Sequence, residues 1–247
     1  VNPKRVLVTG ASRGIGRAIA LRLAASGWQV AVHYNRDAEA AHETTLQLAQ
    51  NAAGLYQAAL ENPEEAAGLW SRALADGPLH ALVNNAGIYQ PASFLSSSQA
   101  QLGEILQTTF RLNFESPLWL AHAAATTFGD QGGGKILNVA SRVGFRGEPG
   151  AAVYAASKAA LINLTRSLAI ELAPKNIGVF AIAPGWVETA MVRPGMDDRL
   201  PEILATLPLG RMATPEDCAG VANFLLSEEA SYLSGQTVDI NGASYFH

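Results

Sequence analysis

Tyr154 and Lys158 stand four residues apart in the segment Tyr154-Ala155-Ala156-Ser157-Lys158. On a helix, positions i and i+4 share a face, so a phenol meets an ammonium. A phenol loses its proton near pH ~10, too high for acid–base work at neutral pH. A cation beside it favours the phenolate and lowers that value. The pair therefore reads as a tuned proton donor; the competing reading is a packed tyrosine beside a lysine with a buried stem and a solvated head. Ser141 follows the run Ile136-Leu137-Asn138-Val139-Ala140. Its hydroxyl can hold a carbonyl oxygen beside the phenol. The trio suits hydride addition to a ketone, whose oxygen gains negative charge and needs a proton.

A hydride needs a donor, and an earlier segment fits one. Gly10, Ser12, Arg13, Gly14, Ile15 and Gly16 lie in Thr9-Gly10-Ala11-Ser12-Arg13-Gly14-Ile15-Gly16, straight after the run Arg5-Val6-Leu7-Val8. Glycines let a backbone turn sharply and approach a ligand closely. A helix starting here would aim free N–H groups at a pyrophosphate. The spacing is G-x-x-x-G-x-G, a variant of the usual dinucleotide fingerprint. The next strand ends at Tyr34, Asn35 and Arg36, with no acid before Asp37. Arg13 and Arg36 can grip a 2′-phosphate, which a carboxylate at the strand end would repel. This favours NADPH (NADP+) over NADH, and Asp37 keeps NADH open.

The elements that must position these groups alternate. Strands are expected at 5–9, 29–34, 55–59, 80–83, 135–139, 178–183 and 236–240. Helices are expected at 14–26, 38–51, 64–76, 99–128, 151–173 and 215–227. Such βα alternation predicts an α/β fold, a Rossmann-type doubly wound parallel sheet of about seven strands with helices on both faces. Ligands then bind beyond the carboxyl ends of the strands, where the candidate residues lie. No linker or composition break interrupts the 247 residues, which predicts one catalytic domain over 1–247. The stretch 186–212, rich in proline and glycine, is expected to be a substrate lid.

Composition excludes other classes. Hydrophobic residues make up 49% and charged residues 15%, enough for a large core. A net charge of −4 argues against nucleic acid as a partner. Cys218 is the one cysteine, so no internal disulfide forms. No residue cluster suggests a metal. The run Val6-Leu7-Val8 is too short to span a membrane or form a signal core, so a cytoplasmic protein without membrane partners is expected.

These pieces together resemble the classical short-chain dehydrogenase/reductases, in particular the 3-oxoacyl-(acyl-carrier-protein) reductase branch. The resemblance rests on Thr9–Gly16, Asn84-Asn85-Ala86-Gly87, Asn113, Ser141, the Tyr154 and Lys158 pair, and Pro184-Gly185-Trp186-Val187-Glu188-Thr189. It covers essentially the whole chain. It implies that Ser141 orients substrate, Tyr154 donates the proton, Lys158 binds the nicotinamide ribose and tunes the tyrosine, and Asn113 holds a relay water. It implies cofactor contacts from Asn84, Ala86, Gly87, Pro184, Gly185, Val187 and Thr189. It implies a homotetramer, a ketone or acyl-thioester substrate, an acyl carrier protein as partner, and a place in fatty acid biosynthesis. Tyr89, Trp186 and Arg142 are expected at the substrate end. The chain departs from the pattern at Ala59-Leu60-Glu61-Asn62, where an aspartate is usual, and at Gly129-Asp130-Gln131-Gly132, where a basic stretch is usual. Two readings stay beside this one: a sugar, polyol or small-alcohol dehydrogenase, and a non-catalytic NADP(H)-sensing protein.

Overall fold

The computed structural model describes residues 3–191 and 199–247. Short apolar runs set the strands, and each but the last feeds a helix. β1 (Arg5–Val8) leads to α1 (Gly14–Ala25), β2 (Gln29–Tyr34) to α2 (Ala38–Leu48), and β3 (Ala52–Gln57) to α3 (Pro63–Ala75). β4 (Ala81–Asn84) leads to α4 (Gln99–Phe110) and α5 (Ser116–Gln131), joined by a π-turn at Arg111–Glu115. Then come β5 (Gly134–Val139), α6 (Ala152–Leu172), β6 (Ile177–Pro184), α7 (Leu200–Ala205), α8 (Pro215–Leu225) and β7 (Thr237–Ile240).

The strands form one seven-stranded sheet in the order β3-β2-β1-β4-β5-β6-β7, with every pairing parallel. The doubly wound α/β architecture is thus as expected. Side chains alternate across it. Val6 and Val8 pack with Ile19, Leu23 and Leu225 on one face, while Leu7 packs with Leu69, Trp70 and Leu120 on the other. Each fully buried aliphatic side chain contributes roughly 2 kcal/mol by leaving water. Order reverses between β1 and β4, which opens a crevice at their carboxyl ends.

Local chemistry places the helix starts. Ser98 and Gln101 form a reciprocal capping box on α4, and Thr214 and Asp217 form another on α8. Asn62 caps α3 ahead of Pro63, and Asp37 caps α2 by accepting from the Ala40 N–H at 3.0 Å. No side chain caps α1, and its first turn carries no acid.

Three expectations shift. The helical region over 99–128 is two helices interrupted by the π-turn. β3 begins at Ala52 rather than 55, and its register against β2 slips between Val30 and Val32, next to Gly54 at φ +124°. An alanine- and glycine-rich stretch offers no β-branched pattern to mark such a strand. Of the stretch 186–212, Val187 bridges Ala213 and α7 covers Leu200–Ala205, while 192–198 lies outside the described residues. Among the described residues, no helix is long and apolar enough to cross a membrane, and no cluster of metal-ligating side chains occurs.

Candidate active site

A cleft of about 890 Å³ opens at the carboxyl ends of the strands. Its two ends differ in chemistry. At one end the loop after β1 turns on Gly10 and Gly14, both at positive φ, +62° and +56°. A side chain at Gly10 would sit 3.0 Å from the Ala86 backbone, and one at Gly14 would sit 3.4 Å from Thr189. Gly10, Ser12, Arg13, Gly14 and Ile15 line this end, with Asn35 and Arg36 from the end of β2. Gly16 does not. It is buried, and a Cβ there would overlap the Gly10 carbonyl and the Asn85 amide. Its smallness lets α1 close onto the loop. Tyr34 also lies outside the cleft and packs on the core beneath it.

His33 was not foreseen. It lines the cleft, is buried, and ties the glycine loop to β3: its Nδ1 accepts from the Gly10 N–H at 3.0 Å, so Nε2 carries the proton toward the Ala58 carbonyl at 3.1 Å. Burial pulls its pKa down to about 4. The only signal in the sequence was a lone polar residue inside an apolar parallel strand. Asp37 and Glu61 also line this end. Asp37 is spent on the α2 cap, and Glu61 accepts from the Asn35 amide at 3.3 Å.

At the other end α6 presents Tyr154 and Lys158, and the turn after β5 presents Ser141; all three line the cleft. Tyr89 meets the Tyr154 ring edge-on, centroids 5.1 Å apart. Lys158 is buried, donates from Nζ to the Val139 carbonyl at 2.8 Å, and lies 5.7 Å from the Tyr154 ring centroid. Ala86, Gly87, Pro184, Gly185, Val187 and Thr189 connect the two ends.

One electrostatic expectation needs correction. Lys158 was to lower the phenol's pKa. Instead burial pushes Tyr154 up to about 12, the Ser141 hydroxyl pulls back, and Tyr89 and Glu148 push further upward. Burial lowers the ammonium's own pKa to about 8. Desolvation is the largest influence on the phenol.

Asn113, Asn84, Arg142 and Trp186 do not reach the cleft. The π-turn swings Asn113 inward, where Oδ1 accepts from the Ile88 N–H at 2.9 Å and Nδ2 donates to the Ile88 carbonyl at 2.9 Å and to Ser157 at 3.3 Å. Asn84 points into the core and donates to Asn138 at 2.9 Å, which donates to Thr165 at 2.9 Å. Asn85 instead pins the glycine loop, donating to the Thr9 carbonyl at 2.9 Å. Arg142 is buried against Glu148, and Trp186 packs with Ile203, Leu207 and Met212. A side chain's direction off a strand end or turn is set by backbone geometry that spacing does not reveal.

The residues present fit a dinucleotide. The cradle has no room for side chains at its glycines, α1 keeps its N–H groups uncapped, and two arginines flank the loop. Comparison with known proteins agrees. A family model described as Enoyl-(Acyl carrier protein) reductase matches residues 10–243. The chain is 38% identical over 246 residues to an acetoacetyl-CoA reductase of Rhizobium meliloti, covering 97% of this chain and 98% of that one. It is 37% identical over 242 residues to 3-oxoacyl-(acyl-carrier-protein) reductase FabG of Escherichia coli, covering 98% and 97%. The crystal structure of a short chain dehydrogenase from Burkholderia cenocepacia in complex with NADP superposes with a TM-score of 0.89 at 32% identity, covering 98% and 97%.

Proposed function

We propose a reaction from one premise: this chain belongs to the short-chain dehydrogenase/reductase family and is an oxidoreductase. The reaction is NADPH-dependent reduction of a carbonyl, with a 3-oxoacyl thioester going to the 3-hydroxyacyl thioester. The observation that carries it is the grouping of Ser141, Tyr154 and Lys158 on one wall of a cleft whose far end is a glycine cradle. When bound, the nicotinamide group supplies the hydride and, oxidised, a positive charge.

The chain's own residues do the rest. Gly10 to Ile15 and the uncapped start of α1 hold the pyrophosphate, with Ala86, Gly87, Pro184, Gly185, Val187 and Thr189 along the cofactor. Arg13 and Arg36 take the 2′-phosphate, since Asp37 and Glu61 already have partners. Ser141 holds the substrate oxygen, and Tyr154 gives it a proton. A phenol with a high pKa is fully protonated at neutral pH, which suits the reductive direction. Lys158 hydrogen-bonds the ribose and restores the phenol's proton. With its side chain spent on Ile88 and Ser157, Asn113 holds a relay water through its main chain, where the π-turn breaks regular pairing. Tyr89 forms the apolar wall for the acyl group, and the stretch 186–212 closes over it as part of one catalytic domain.

The names of both curated relatives support the substrate class. Burial of Arg142 removes it from any docking face for an acidic carrier protein. Turnover of acetoacetyl-CoA, of a carrier-bound 3-oxoacyl group, and of sugars and small alcohols with NADPH and NADH tests this. Preference for 3-oxoacyl thioesters with NADPH is expected; a preference for polyols would overturn the substrate. Tyr154→Phe should lose at least ~10³-fold in kcat while still binding cofactor. Cofactor binding by the wild type with no turnover of any compound would instead mark a sensor.

A further inference from the structure

One buried charged pair beside the site has no part in the proposed reaction. The side chains of Arg142 and Glu148 are 5% and 15% exposed, with Nη2 3.6 Å from Oε2. Burying two charges costs desolvation that apolar packing would avoid, so such a pair points to a geometric role. Arg142 also donates from Nη1 to Ser244 Oγ at 2.7 Å. The same turn is gripped elsewhere. The Tyr245 hydroxyl donates to the Phe145 carbonyl at 3.4 Å. The His247 ring stacks on Phe145, centroids 3.7 Å apart and 12° from parallel, and is itself held by Asp239 at 3.0 Å. The Arg166 guanidinium also lies over the Phe145 ring, 5.9 Å from its centroid. The turn so fixed starts at Ser141 and runs into α6, where the Ala151 N–H donates to the Glu148 carbonyl at 3.2 Å. Tyr154 stands in the first turn of that helix.

We propose that Arg142, Glu148 and the segment Ser244–His247 form a brace that positions Ser141 against Tyr154. These are positioning residues; none touches the reacting atoms.

Two measurements test the brace on the full chain. The first is amide hydrogen exchange without substrate, which does not depend on any assigned reaction. Arg142→Met and Glu148→Gln should each speed exchange over residues 142–150 by about tenfold or more, while Gly10–Gly16 stays unchanged. Unchanged exchange in both variants overturns the brace. The second rests on the proposed reaction and follows ketone reduction at saturating NADPH. Both variants should lose about tenfold in kcat with cofactor affinity unaltered, because Ser141 and Tyr154 no longer hold the substrate oxygen together. An unchanged kcat in both variants overturns the positioning role. If Arg142→Met does not fold, His247→Ala and Tyr245→Phe, which leave the Arg142–Glu148 pair intact, carry the exchange measurement. If the wild type turns over no carbonyl or alcohol, the reaction assignment falls while exchange still decides the brace.

Discussion

Two single side chains illustrate how burial, more than pairing, sets the chemistry of this site. The Lys158 pKa falls from 10.5 to about 8 because burial disfavours its charge. Between those values the unfolded chain binds the extra proton, so the protein gains stability as pH rises from 8 to 10.5 and carries the cost below 8. The cost is at most about 3 kcal/mol, less what the hydrogen bond to Val139 returns. Lys158→Met should therefore raise the melting temperature at pH 7 while abolishing turnover; a lower melting temperature would show that the Val139 contact outweighs desolvation. Carbonyl reduction by the wild type should decline as pH passes about 8 and the ammonium discharges. His33 works in the same sense. Its folded pKa of about 4 lies below the model-peptide 6.5, so stability is lost as pH falls between those values. From pH 7 to 5 that loss is about 2 kcal/mol. His33→Gln should flatten this limb of a urea midpoint series; an unaltered slope would mean that other groups dominate.

At the scale of elements, the junction of α1 with the glycine loop leaves no room for a side chain. Gly16 faces the Gly10 carbonyl and the Asn85 amide, neither of which can yield without moving backbone or losing the Thr9 bond. Gly16→Ala should cost about 2 kcal/mol or more of stability and weaken cofactor binding in step, read by urea denaturation and cofactor titration. Loss of affinity at full stability would point to a direct contact instead. Elements of this kind were unevenly legible. Apolar β-branched runs announced six strands, and the glycine spacing with the Tyr154 and Lys158 pair announced both ends of the cleft. The π-turn was silent, because Arg111-Leu112-Asn113-Phe114-Glu115 has ordinary helical composition and its insertion is set by packing against Ile88 and Ser157. Arg142 and Trp186 were misplaced because adjacency to Ser141 and Gly185 in the chain does not fix which way a side chain leaves a turn.

For the whole molecule, exposed apolar side chains bear on assembly. Leu106 on α4, Trp119 on α5 and Ile170 on α6 are 48%, 45% and 80% exposed. A homotetramer using these helices is the proposed state, and light scattering should give a mass near four chains. Ile170→Glu should lower that mass; a monomeric wild type would refute the assembly outright. The strand order has another consequence, for how the chain comes together. β1 sits between β2 and β4, so Val6 waits for Ala81 before its second neighbour exists. During synthesis the nucleotide cradle is made early yet stays half-built, one edge bare, until some seventy residues later have left the ribosome. A nascent chain halted just short of β4 should therefore be sticky and protease-sensitive, and one halted just beyond it much less so.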